Sequence, residues 1–188
     1  MKKVCLQSVV CLTGLIFATP VFAADALDPA RVRFGINLGL SPSIGVGFNA
    51  SASLNNLFEL APGVRIGARG NLGVAINSPV IVDLTLAPVV TFAIPNGGVY
   101  VGPSIGLGFA SGIDVGFGLT GGIEYDLNPA VMLYGNLGLG IAPSVVGNLT
   151  AGVDFEISGP LSAFAEGRLG FSGGSAAFGV GAGLAYRF

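Results

Sequence analysis

Asp154 and Glu156 stand two residues apart, and in an extended strand that spacing puts both carboxylates on one face. A carboxylate pair is the smallest set that can do general acid–base work. Nothing in the chain joins it. There is no histidine, and both cysteines, Cys5 and Cys11, fall at the N-terminus. The remaining chain therefore lacks the usual general base, the commonest metal ligands and the thiol nucleophile. Without a loop to build a pocket around them, Asp154 and Glu156 read as structural charges. The expectation is a non-enzyme with no metal and no cofactor.

The other charges are few and patterned. Charged residues make up only 10% of the chain, while mean hydropathy is +0.79. Both lysines lie at residues 2 and 3, leaving six arginines against ten acids. No basic run or basic–aromatic interleaving is present, so a nucleic-acid partner has no support. The arginines and acids fall mainly into two groups: Arg31, Arg33, Arg65, Arg69 and Arg187, and Glu124, Asp154, Glu156 and Glu166. Arg168 lies close to Glu166.

The elements that position these charges show period two, the period of a strand between different solvents. Ten alternating segments are predicted: Arg31–Leu40, Ile44–Leu54, Val64–Val74, Val80–Ile94, Val99–Phe109, Ile113–Tyr125, Val131–Ile141, Val145–Ile157, Leu161–Phe171 and Ala176–Phe188. Most are the length of a tilted strand crossing a bilayer. Turn signals separate them, including NN at 55–56, NSP at 77–79, PNGG at 95–98, DLNPA at 126–130 and SGGS at 172–175. The expected longest connection is Asn55–Gly63.

Twelve charges lie within these segments, adding Asp83 and Asp114 to the residues already named. All share the phase of Gly, Asn, Ser and Thr, and none shares the phase of the bulky apolar residues. A charge facing lipid at mid-membrane costs about 2–4 kcal/mol, which accounts for the empty face. A soluble barrel would need charges outside, and there are too few to cover it. The apolar face therefore points to lipid and the glycine-rich face into a lumen.

The fold class is all-β: one antiparallel transmembrane barrel of about ten strands, with eight or twelve as alternatives. Residues 1–23 read as a cleaved signal peptide, with Lys2 and Lys3 before an apolar core and Val21 and Ala23 at the cleavage offsets. Residues 24–30 read as a periplasmic linker, and 31–188 as the barrel. An even strand number puts both termini in the periplasm.

The last strand ends on Tyr186 and Phe188 with Gly183 before them. This resembles the C-terminal signature of small Gram-negative outer-membrane β-barrel proteins. The resemblance implies an outer-membrane location, lipid as the surrounding partner, and recognition by the barrel-assembly machinery during biogenesis.

Function then rests on the lumen. Tyr100, Tyr134 and Phe164 point inward beside the arginines and acids. The first expectation is an open lumen, across which the two charge groups make a transverse field, as in a porin-like passive channel for small polar solutes. Across a narrow lumen they would meet as ion pairs and close it, giving a structural protein without conductance. The abundant glycine fits either a polar channel or the curvature of a small barrel. Pro88 and Pro103 fall mid-strand on neighbouring strands, each removing a ladder donor. A local bulge is the expected consequence. A lateral opening that carries a hydrophobic molecule is the alternative.

Overall fold

The structure, a computed structural model, describes residues 30–41, 44–76, 79–141 and 145–188. The expected signal peptide and all of the expected linker except Ala30 lie outside these residues. The described residues form ten strands: β1 (Ala30–Ser41), β2 (Gly45–Ala61), β3 (Val64–Ile76), β4 (Ile81–Ile94), β5 (Gly97–Phe109), β6 (Ile113–Asn128), β7 (Val131–Gly140), β8 (Val146–Ser158), β9 (Leu161–Ser172) and β10 (Ser175–Arg187). Each pairs antiparallel with its sequence neighbours, and β1 closes on β10. Closure satisfies the edge donors and acceptors that lipid could not.

The alternation read from the sequence holds on the wall. Phe34, Ile36, Phe48, Leu86, Phe117, Leu137, Leu149 and Leu184 all stand exposed on the outer face. Their inward neighbours Asn37, Asn49, Asn71, Thr120, Asn136 and Thr150 are buried. Exposed Phe92, Tyr125, Phe155, Tyr186 and Phe188 collect at the end that carries both termini, and Phe109 and Phe171 near the other. Such an apolar exterior with a polar interior is covered by a bilayer, and the chain is a transmembrane β-barrel.

Tight turns make the hairpins possible. Gly173 and Gly174 both have positive φ, the backbone of a two-residue hairpin turn between β9 and β10. Asn96 takes the left-handed conformation in the turn from β4 to β5, and asparagine tolerates it better than most residues.

Three features depart from the sequence reading. Asn55 and Asn56 are not a turn. β2 runs on to Ala61, and the chain reverses only at Pro62–Gly63. Register shifts between Leu54 and Phe58, and again between Glu59 and Ala61, show that the extra residues are absorbed as bulges in β2. The long connection expected at Asn55–Gly63 is therefore mostly strand. Likewise β6 extends through Asp126 and Leu127 to Asn128, whose Oδ1 accepts the Ala130 N–H at 2.9 Å. At Pro88 and Pro103 there is no bulge. The β4–β5 register is unchanged on either side, from Leu86↔Ile105 to Val90↔Val101, and only the pairing between them is missing.

Candidate functional site

The lumen is furnished unevenly. In the half nearer the loops, inward positions are mostly Gly, Asn, Ser and Ala. In the half nearer the termini they include Arg, Tyr, Phe, Asp and Glu among smaller residues. Arg31 and Arg33 rise from β1, Arg69 from β3, Tyr100 from β5, Glu124 from β6, and Met132 and Tyr134 from β7. Asp154 comes from β8, and Phe164, Glu166 and Arg168 from β9. All are buried.

The centre of this half is Asp154. Its Oδ2 accepts from Arg33 Nη2 at 2.7 Å and from Arg31 Nη1 at 3.3 Å. Both arginines reach it from three strands away around the wall. Arg33 and Asp154 are each only 1% exposed, so the pair is shielded from water, and Coulomb attraction acts at reduced dielectric. The Arg33 guanidinium also lies 4.3 Å from the Tyr134 ring centroid and 5.2 Å from that of Phe164, cation–π distances. Arg31 Nη1 touches Met132 Sδ at 3.9 Å.

Two further clusters surround this one. Arg69 stacks 3.6 Å from the Tyr100 ring centroid and donates to Asn55 Oδ1 at 3.1 Å. The Tyr100 hydroxyl accepts from Asn136 Nδ2 at 3.0 Å. The Tyr134 hydroxyl donates to Glu166 Oε2 at 2.9 Å, and Arg168 Nε donates to Glu166 Oε1 at 2.7 Å. Arg168 Nη2 reaches the same oxygen.

The large rings fit because glycine faces them. Tyr100 is in register with Gly122, Tyr134 with Gly152, and Phe164 with Gly183. A Cβ built on Gly122 or Gly152 would stand 2.5 Å from Cζ of the facing ring, too close for any side chain. Glycine here is neither bare channel lining nor a curvature device alone. It is the seat that lets an aromatic ring lie flat against the next strand. The sequence carries the signal as an inward aromatic on one strand and an inward Gly on the next, but reading it requires the register.

The residues singled out in the sequence divide accordingly. Arg31, Arg33, Arg69, Glu124, Asp154, Glu166, Arg168, Tyr100, Tyr134 and Phe164 lie together in the lumen. Arg65 and Arg187 are half-buried near the terminus-bearing rim, and Glu156 is exposed near the end of β8. Arg65 is in register with Glu59, a β2 residue that the sequence reading left in a loop. Arg168 pairs along its own strand with Glu166 and does not face the acids from an opposite arc. Asn55 is the residue that sequence reasoning missed: it continues the inward phase of Asn49, Ser51 and Ser53 along β2 and is buried against Arg69. Among the described residues, no cluster of three or more His, Cys, Asp and Glu forms a metal site.

No protein-family model matches the chain, and no curated protein does. Solved structures of similar shape include the KdgM porin in complex with disordered oligogalacturonate, 11% identical, covering 84% of this chain and 99% of that one with a TM-score of 0.49. They include the translocator domain of the autotransporter NalP from Neisseria meningitidis, 10% identical, covering 100% and 96% with a TM-score of 0.48. Outer membrane phospholipase A from Escherichia coli is 12% identical, covering 93% and 96% with a TM-score of 0.46. At these scores the likeness assigns no activity, and the barrel rests on its own strand pairing.

Proposed function

We propose that this chain is an integral outer-membrane barrel of a Gram-negative bacterium that is closed to solutes in its resting state and serves a structural role in the membrane. The carrying observation is the Arg33–Asp154 pair, 2.7 Å apart and sealed between the Tyr134 and Phe164 rings. A transverse field needs water between its poles, whereas here arginine and carboxylate are in contact. The chain holds no histidine, and buried Asp154 and Glu166 already engage arginine and tyrosine, so the reading is non-catalytic. Both termini would lie in the periplasm, with Gly183, Tyr186 and Phe188 as the segment handed to the barrel-assembly machinery.

The second reading is a porin-like passive channel for small polar solutes. It is favoured by the loop-side half of the lumen, where Gly106, Gly108, Gly116 and Asn148 are only partly covered. For solute to pass, the arginine and tyrosine clusters below would have to move.

Conductance decides between them. Residues 24–188, refolded and shown to be folded by heat-modifiable gel mobility, are placed in a planar bilayer. The closed reading expects a silent membrane. Steady discrete steps, with ion selectivity altered by Arg33→Ala, Arg65→Ala and Arg69→Ala, would overturn it in favour of the channel.

A further inference from the structure

Two buried side chains meet over Gly181. On β10, Gly181 is in register with Asn37 on β1 and with Glu166 on β9. A Cβ built on Gly181 would stand 2.7 Å from Asn37 Oδ1 and 2.8 Å from Glu166 Oε1. Both side chains therefore lean over the bare glycine from opposite sides, across the strand that closes the barrel. Their meeting point is one bond length from Gly181 Cα, so neither water nor an ion can stand there.

The amides beside this point are half used. Asn37 Nδ2 lies 3.1 Å from Asn49 Oδ1. Asn37 Oδ1 and Asn49 Nδ2 are buried without a hydrogen-bond partner among the described residues, and Asn37 is only 1% exposed. A buried polar group left without a partner costs about 1–3 kcal/mol, and a carbonyl oxygen aimed at a carboxylate adds repulsion. An asparagine amide has an acceptor at one end and donors at the other, in nearly the same shape. A half-turn of both amides exchanges these ends. The 3.1 Å contact then persists with Asn49 Nδ2 donating to Asn37 Oδ1, and Asn37 Nδ2 faces Glu166. A donor facing a charged acceptor makes the stronger kind of hydrogen bond. Glu166 has room for it: Tyr134 supplies one bond and Arg168 two, and a carboxylate accepts about four.

We propose that Asn37 donates to the Glu166 carboxylate across Gly181, and that this contact is the latch through which closure of β1 on β10 keeps the lumen shut. Glu166 accepts from the Tyr134 hydroxyl, and the Tyr134 ring covers Arg33. The chain Asn49–Asn37–Glu166–Tyr134 therefore joins β2, β1, β9 and β7, and strands on both sides of the closure hold the ring in place. Asn37 is a positioning residue in this arrangement, and Gly181 is the gap through which it reaches. The latch rests on the closed reading of the lumen.

The bond is tested on the unaltered barrel, residues 24–188 refolded in lipid, by solid-state NMR with 15N asparagine and 13C glutamate. A hydrogen bond puts Asn37 Nδ2 about 4 Å or less from Glu166 Cδ. Absence of dipolar coupling between them would overturn the proposal. Its role is tested in the planar bilayer. Asn37→Leu, which keeps the shape and removes the donor, should give discrete openings. Gly181→Ala, whose Cβ stands between donor and acceptor, should do the same, and the double variant should open no more often than either, because both break one contact. Asn49→Leu leaves the Glu166 contact in place and should stay silent. Silence from folded Asn37→Leu, or additive opening in the double variant, would overturn the latch. If the variants fail to fold, the NMR distance still decides. Conductance by the unaltered barrel would instead refute the closed reading itself, so the two failures are distinguishable.

Discussion

The ring of Phe164 on β9 lies over Gly183 on β10, its partner in register, so that a Cβ on Gly183 would stand 2.9 Å from Phe164 Cε1. The same ring covers Gly35 on β1, whose added Cβ would meet Phe164 Cζ at 2.7 Å. One side chain therefore bridges the strands where the barrel closes, and it also supports Arg33. The C-terminal segment and the lumen cluster are parts of one packing arrangement. Gly183→Val should prevent β10 from sealing on β1, because the new side chain would meet the Phe34 carbonyl as well as the ring. The expected readout is loss of the heat-modifiable folded band and protease cleavage within residues 175–188, while Ala182→Val on the outward face leaves both unchanged.

Asp154 compensates two buried arginines, and its removal strands both. Asp154→Leu should cost about 3–5 kcal/mol, as removal of one partner from a buried ion pair does. The urea midpoint for unfolding from lipid vesicles would fall accordingly. Replacing Arg31, Arg33 and Asp154 together by Met, Met and Leu should recover most of that loss, because the desolvation cost leaves with the charges. A triple variant as weak as the single one would contradict the assignment of Asp154 as the shared counter-ion.

Ile36 faces outward near the middle of β1, and its register partners Ala182 and Phe48 do the same. Ile36→Arg should therefore lower stability by about 2–4 kcal/mol, the cost of a charge at bilayer mid-depth. Arg at Phe188, beside the terminal rim, should cost about 1 kcal/mol or less. Equal losses at the two sites, measured by the same urea titration, would contradict the placement of the wall in the membrane.

Asn55 continues the inward phase of β2 and accepts from Arg69. Asn55→Ala removes an acceptor from a buried charged donor and should cost about 1.5–3 kcal/mol. Asn56→Ala, on an exposed neighbour, should change the midpoint by no more than about 0.5 kcal/mol. If both variants behave alike, Asn55 does not brace Arg69.

Alternation by itself determined that this chain is a barrel with lipid outside, and it placed all twelve strand charges in the inward phase. The physical reason is local: in a strand, neighbours two apart share a face, so solvent preference is written into adjacent residues. The ten-strand count followed from segment lengths and turn residues. Phase, however, says which residues enter the lumen and not which of them meet. Arg33 and Asp154 are 121 positions apart, and only closure of β1 on β10 brings them into contact. The pairing of Tyr100, Tyr134 and Phe164 with Gly122, Gly152 and Gly183 depends on register, which no single strand carries. Asn55 looked like a turn because asparagine pairs favour turns, and only the ladder to β3, resumed at Phe58, showed that β2 runs on through it. The prolines were visible in the sequence. That their seam keeps its register and loses its pairing was decided by the strands on either side.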